Sequence, residues 1–326
     1  MKFPPKYQIT PEILELISKI EAQRIYFSSI ILPNEVIQKI ERASLLKSSL
    51  FSARIEGNPL ELPDLTLGNS KDAKKLEVFN ILDAIRFIEI GNKLDITTKL
   101  LKDIHAMILK DISPDAGFTR KEPSAIFNQA GQAIYIAPAP SQIKLFLNEL
   151  FKFINSDHEK FPLITAFISH LIFEKIHPFL DGNGRVGRLL ISAILKLKNW
   201  TLPFTVPFEE YLDSHKGEYY LTLDHGLEQT EEYLIFMLNA FHEQISAARK
   251  QLEEGIKNES FFLPPRQQEI LNIIRDHSVI PFDTIRRRFL KVPERTIRYD
   301  LTKLLGKNLI EKTGETRGRF YRIKKV

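Results

Sequence analysis

The chain has 326 residues, 43% hydrophobic and 27% charged, with a formal net charge of +5 and no cysteine. That length allows two or more domains with full cores. The lack of cysteine excludes disulfides, thiolate nucleophiles and cysteine-based zinc sites.

No apolar run approaches the roughly 18 residues of a membrane span. Met1-Lys2-Phe3-Pro4-Pro5-Lys6 lacks the apolar core of a signal peptide. The expected setting is therefore cytoplasmic, with no membrane partner.

The first informative element is a helix predicted from near Pro33. Val36, Ile37, Ile40, Ala43, Leu46, Leu50 and Ile55 give it an apolar stripe, and Gly57 suits its C′ stop. It ends in Ser52-Ala53-Arg54-Ile55-Glu56-Gly57-Asn58. Taken alone, that is an ordinary helix end with a solvated glutamate.

Gly117-Phe118-Thr119-Arg120 then leads into Ser124–Phe127, a turn at Asn128-Gln129-Ala130-Gly131, and Gln132–Ile136. Two short apolar runs around a glycine-containing turn predict a β-hairpin, closed by Ala137-Pro138-Ala139-Pro140. Its exposed edge could add an extended target segment as a strand. Ile126, Phe127, Ile134 and Tyr135 are the candidate docking residues.

Pro162 to Ile176 and Leu189 to Leu197 are apolar at helical spacing. Between them lies His177-Pro178-Phe179-Leu180-Asp181-Gly182-Asn183-Gly184-Arg185-Val186-Gly187-Arg188, read as a tight loop with Gly184 to Arg188 opening the second helix. Glycines let a ligand approach the backbone closely. Free amides at a helix start form an anion pocket. Arginines grip phosphate oxygens, Asp181 offers a hard oxygen for Mg²⁺, and His177 has the near-neutral pKa of a general base. Asn183 can hold a phosphate oxygen or fix the loop. The run lacks the Gly-Lys-Ser/Thr ending of a Walker A loop.

The segment resembles the Fic-family signature, His-Pro-Phe-x-Asp/Glu-Gly-Asn-Gly-Arg-x-x-Arg, at every fixed position. The resemblance implies an α-helical enzyme that transfers AMP from ATP to a Tyr, Thr or Ser hydroxyl of a target protein, itself included, releasing pyrophosphate. His177 would take the hydroxyl proton and Asp181 would bind Mg²⁺. Gly182, Asn183 and Gly184, with Gly187 beside them, would surround the phosphates, and Arg185 and Arg188 would hold the β- and γ-phosphates.

Ser52 and Glu56 resemble the family's inhibitory Ser/Thr-x-x-x-Glu-Gly/Asn element, whose glutamate occupies the second signature arginine, here Arg188. In some relatives that glutamate aligns water for AMP removal. The hairpin resembles the Fic flap. Tyr211-Leu212, His215-Lys216 and Tyr219 to Leu223 resemble the helix after the core, with Tyr220 the candidate for the adenine pocket.

From Phe262 onward the chain carries a net charge of +9, against −4 for the remainder. A charged helical stretch, Arg249 to Leu263, marks the boundary. Arg266–His277, Pro281–Leu290 and Pro293 to about Leu305 read as helices, and Asn308–Ile310 and Phe320–Ile323 as strands. The pattern resembles a winged helix-turn-helix, with Arg295, Arg298 and Lys303 on its third helix and Arg317 and Arg319 on its wing as candidate DNA contacts. Asp300 and Glu294 interrupt that basic face.

The expected fold class is mainly α: a Fic-type helical bundle with a β-hairpin flap, plus a C-terminal winged helix-turn-helix. The expected domains are a helical region with the inhibitory element (1–100), the catalytic core (101–245), a helical linker (246–261) and the winged helix (262–326). Two rival functions stand beside AMP transfer. One is another transfer at the same site, of UMP or another phosphate-linked group, or AMP removal. The other is a DNA-binding regulator whose Fic-like domain senses nucleotide. Relatives often self-associate, which puts a homodimer among the candidate states.

Overall fold

The computed structural model describes residues 4–30, 34–66, 72–91, 95–127, 133–257, 263–277, 279–290, 292–313 and 320–324. The chain divides into two compact units, Met1–Ile31 with Lys39–Ala247, and Leu32–Gln38 with Ala248–Val326.

The first unit is almost wholly helical. Helices α1 (Pro11–Ser29), α2 (Asn34–Ile55), α3 (Leu62–Thr66), α4 (Ala73–Ile90) and α5 (Thr98–Ile108) precede the strands β1 (Ala125–Phe127) and β2 (Ala133–Ile136). Then come α6 (Pro140–Asn155), α7 (Pro162–Ile176), α8 (Asn183–Leu197), α9 (Glu209–Ser214), α10 (Lys216–His225) and α11 (Thr230–Lys257), with α2 before Lys39 and α11 beyond Ala247 counted in the second unit.

Helix α7 is the spine. Every residue from Leu163 to Ile176 is buried, polar ones included, as expected of a helix that is apolar all round. It packs on α8 and α6, while α4 and α5 close over α8. Because α7 is enclosed, the loop it feeds into α8 is fixed at both ends. Strands β1 and β2 pair antiparallel, Ala125 opposite Ile136 and Ile126 opposite Tyr135. The side chains of Ile126, Phe127 and Ile134 lie outside the described residues, and Tyr135 is half-buried.

In the second unit α12 (Pro265–His277) is followed by β3 (Val279–Pro281), α13 (Phe282–Arg288), α14 (Glu294–Gly306), β4 (Ile310–Thr313) and β5 (Phe320–Ile323). The strands form one antiparallel sheet in the order β3-β5-β4. Ile270, Leu271, Ile274, Ile280, Ile285, Ile297, Leu301, Leu304 and Tyr321 make its core.

Two readings of this unit need correction. Val279–Pro281 is a strand, so the helix expected from Pro281 begins at Phe282. Proline is tolerated at a strand end, and a run of three residues gives no legible period. Asp300 does not interrupt the outer face of α14. It is 2% exposed, accepting from Gln267 Nε2 at 2.9 Å and pairing with Arg266 on α12. Arg295, Arg298 and Lys303 are exposed on α14, and Glu294 ties Arg298 (2.6 Å) and Arg286 (3.0 Å). Arg317 and Arg319 lie outside the described residues.

Candidate active site

The site forms where α7 ends and α8 begins. His177 caps α7 in the left-handed region, at φ 49° and ψ 61°. A non-glycine residue holds that conformation only where its surroundings impose it, and here they do. The His177 amide donates to Phe173 O at 3.0 Å, and its carbonyl accepts from Arg120 Nε at 2.7 Å.

Nδ1 of His177 lies 3.3 Å from Glu174 O. A carbonyl can only accept, so Nδ1 carries the proton and Nε2 keeps its lone pair. Burial holds the His177 pKa below the ordinary histidine range, and the nearby Arg120 charge adds to that, against the bond to Glu174. His177 is thus held neutral, with one nitrogen free to take a proton.

Arg120 is the staple beneath the loop. It is 3% exposed and donates to four carbonyls: His177, Glu122 (2.9 Å), Pro138 (2.5 Å) and Ile176 (3.4 Å). Glu122 and Pro138 flank the β1–β2 pair, so one guanidinium joins that pair to the loop. Arg120→Ala is expected to cost about 3 kcal/mol of stability, the scale for several charged hydrogen bonds lost from a buried site. Thermal unfolding of the variant checks this.

His105, from α5, supports the other side of the loop. It accepts from Gly117 N at Nδ1 (2.8 Å) and donates from Nε2 to Asp181 O (3.0 Å). Its ring stacks on Phe179, centroids 3.8 Å apart and planes within 4°. Burial lowers its pKa, which keeps the neutral tautomer that this pair of bonds requires.

At the start of α8, Gly182 is the N-cap at φ 78°, a conformation natural to glycine. Its amide donates to Asp181 Oδ1 at 2.6 Å. The side chain of Asn183 is spent on the loop: Nδ2 donates to Phe179 O and Oδ1 accepts from Phe179 N, both at 2.9 Å. Of its two expected roles the amide side chain fills the second, leaving its backbone N–H for an anion. The first-turn amides of α8 have no carbonyl within the helix to bond, so an anion there is favoured.

Gly187, expected beside the phosphates, faces α7, where a Cβ would run into the Glu174 carboxyl and lie 3.1 Å from His170. Its role is close helix packing. Gly184 faces Glu56 and Arg188, and a Cβ there would collide with the Glu56 carboxylate.

Both signature arginines are ion-paired. Arg188 is 1% exposed and donates Nε to Ser52 Oγ (3.0 Å) and Nη2 to Ser52 O (2.9 Å) and Glu56 Oε1 (2.9 Å). Burial opposes its charge, but the Glu56 carboxylate beside it outweighs that and holds its pKa above the ordinary value. Arg185 donates Nη1 to Glu77 Oε1 (2.5 Å) and Nη2 to Asp181 Oδ1 (3.0 Å). Helix α2 thus ends on Arg188, with Gly57 at φ 98° turning the chain away.

Tyr220 is 44% exposed and donates its hydroxyl to Ile55 O at 3.2 Å, at the end of α2. Tyr135 donates its hydroxyl to Lys175 O at 2.8 Å.

A buried polar cluster lies between α7 and its neighbours. His170 Nδ1 donates to Tyr233 OH (2.6 Å), which donates to Phe167 O (3.2 Å). Tyr219 OH donates to His170 Nε2 at 3.2 Å. Glu174 is 8% exposed, and its Oε1 has no hydrogen-bond partner among the described residues. Burial pushes Glu174 up to about 8 and His170 down to about 3.

These shifts set a pH profile for stability. Folded Glu174 keeps a proton that the unfolded chain has lost above its ordinary 4.5, so stability falls as pH rises from 4.5 to about 8. His170 stays neutral when folded but gains a proton unfolded below 6.5, so stability falls as pH drops from 6.5 to about 3. From 6.5 to 8 the Glu174 slope remains, joined up to about 7 by that of Glu209, which burial also pushes up. Melting temperature should decline across that window, and Glu174→Gln should flatten the decline.

Glu77 and His105 lie in segments that carry no sequence signal for this site, while Arg120, Asn58 and Glu174 lie in the three runs read above but have no role legible there. Among the described residues no cluster of three or more His, Asp or Glu could hold a metal by itself, and no helix is long and apolar enough to cross a membrane.

The model of the Fic/DOC family matches residues 95–195. Protein adenylyltransferase Fic from Drosophila melanogaster is 26% identical over 206 residues, covering 60% of this chain and 41% of that protein. The chain therefore spans less than half the length of the curated relatives it matches. In fold, it is similar to the crystal structure of a Fic family protein from Desulfovibrio desulfuricans G20, at TM-score 0.71, 22% identity and 98% coverage of each chain. It is also similar to Fic-1 (residues 134–508) from C. elegans, at TM-score 0.62 and 18% identity, covering 74% of this chain and 73% of that one.

Proposed function

Residues 95–195 form a domain of the Fic/DOC family, and from that premise we propose that the chain transfers AMP from ATP to a Tyr, Thr or Ser hydroxyl of a protein, with Glu56 restraining it. The observation that carries this reading is the convergence at one helix junction of a neutral His177, the free amides of α8 and two arginines, one of them occupied by Glu56.

His177 Nε2 takes the proton as the hydroxyl oxygen bonds to the α-phosphorus, and the bond from that phosphorus to the bridging oxygen breaks, releasing pyrophosphate. The first-turn amides of α8, Asn183 and Gly184 among them, and the two arginines meet the phosphate charge, the Gly182 amide being held by Asp181 Oδ1. Positioning and charge neutralisation carry most of the rate.

Asp181 suits Mg²⁺, since its carboxylate is 68% exposed at the loop mouth and that ion takes one or two carboxylates plus phosphates and water. When bound, the ion would neutralise phosphate charge. The hairpin is read as a flap that lays a target segment along its edge. Tyr220 is read as an adenine contact whose phenol is parked on Ile55 in the restrained state.

The signature reads phosphates rather than the base, so ATP is tested against UTP as α-labelled donors, with label from ATP alone expected. Equal label from UTP would favour the broader nucleotidyl reading.

A second reading concerns the C-terminal unit, taken as a winged helix-turn-helix that binds duplex DNA. What favours it is the inward turn of Asp300, which leaves Arg295, Arg298 and Lys303 on the outer face of α14. Duplex binding by the full chain should weaken with salt. Arg295→Ala should weaken it on all sequences and lower the salt slope by about 1. Salt-independent binding, or none, would leave this unit to protein contacts.

A further inference from the structure

The turn that carries Glu56 reaches the other signature arginine as well. Two residues on, Asn58 is 7% exposed, with Nδ2 donating to Lys74 O and to Glu77 Oε2, both at 2.9 Å. Its Oδ1 accepts from Leu60 N at 3.1 Å, so the amide is fixed in orientation. Glu77, on α4, gives its second oxygen to Arg185 Nη1 at 2.5 Å. Arg185 in turn holds Asp181 Oδ1 at 3.0 Å, and the same oxygen accepts from Gly182 N. The contacts run without a gap from the inhibitory turn to the carboxylate assigned to the metal.

Charge makes the consequence concrete. Three carboxylates (Glu56, Glu77 and Asp181) face two guanidiniums (Arg185 and Arg188), a net of −1 where polyphosphate must sit. Without the Glu56 charge the group is neutral, and without the Glu77 charge as well it is +1. The side chains of Arg185 and Glu77 are only 5% and 18% exposed, so solvent screens this pair weakly, whereas Asp181 at 68% is well screened.

We infer that Glu77, oriented by Asn58, is a second arm of the restraint: it withholds Arg185, and through it Asp181, from the nucleotide while Glu56 withholds Arg188. This rests on the nucleotide-binding reading of the site. Removing Glu56 alone frees one arginine, and full phosphate affinity requires both to be released.

The test is Mg-ATP binding by calorimetry on the full chain. The variants are wild type, Glu56→Gly, and Glu56→Gly combined with Glu77→Gln or with Glu77→Asp. Glu77→Gln removes the charge and keeps the size. Glu77→Asp keeps the charge and withdraws it from Arg185. Both doubles should bind Mg-ATP more tightly than Glu56→Gly, the Gln form by about tenfold, the scale of one like charge removed from a poorly screened site.

Equal or weaker binding in both doubles, with Glu56→Gly itself binding ATP, overturns the second arm and leaves the site reading intact. Binding in none of the proteins overturns the site reading and the second arm with it. Thermal melts run alongside: loss of cooperative unfolding in both doubles would make Glu77 a folding element and equally overturn the proposal.

Discussion

Glu56→Gly should raise AMP transfer by roughly tenfold or more, since a phosphate and a carboxylate cannot both hold one guanidinium and paired charge-assisted bonds exceed 1.4 kcal/mol. Arg188 is nearly sealed from solvent, so what occupies it decides what else can enter. Ser52 contributes two acceptors to the same guanidinium, its hydroxyl and its carbonyl. It should keep Arg188 in place after the glutamate is gone. The substitution should also cost about 1–2 kcal/mol of stability. That is less than for a fully buried pair, because the Glu56 side chain is 30% exposed. A gain in activity together with a loss in melting temperature is the combined signature. Equal labelling by variant and wild type at matched ATP and Mg²⁺ would count against the restraint.

His177→Ala, placed in the Glu56→Gly background, should lower transfer by about 10²- to 10⁴-fold, the range for losing a general base. ATP binding should change little, since in the proposed site the phosphates would rest on α8 and the arginines rather than on the imidazole. Because burial holds the His177 pKa down, the base stays neutral to lower pH than an ordinary histidine. The acid limb of the rate profile should therefore fall below the usual histidine range near 6.5. A limb above that range would assign the titration to another group.

The parts of this site that could be read from sequence are those written in short contiguous runs. His177 to Arg188 sits on one loop and its helix start, and Ser52 and Glu56 sit one helical turn apart. Local geometry alone brings their groups together. Arg120 and His105 reach the loop from segments more than 50 residues away, and nothing in their own neighbourhoods marks them as its supports. Glu77 was hidden for the same reason. It sits on α4, an unremarked amphipathic helix, and only packing brings it to Arg185.

Residue type was easier to read than direction. Gly187 and Asn183 carry chemistry suited to a phosphate loop. The pitch of α8 turns Gly187 toward α7, and the fold of the loop spends the Asn183 side chain on Phe179. In the C-terminal unit the apolar spacing of three helices was legible, while β3, three residues long, was not. Asp300 shows the same limit: its charge was visible, its inward face was not.

The most direct test of AMP transfer is labelling by the Glu56→Gly protein with ATP carrying ³²P at the α position or at the γ position. Label on protein from the α position only is the expected result, because the bond that forms is to the α-phosphorus and the β- and γ-phosphates leave. Label from the γ position, or from neither while ATP binds and target protein is present, would contradict it.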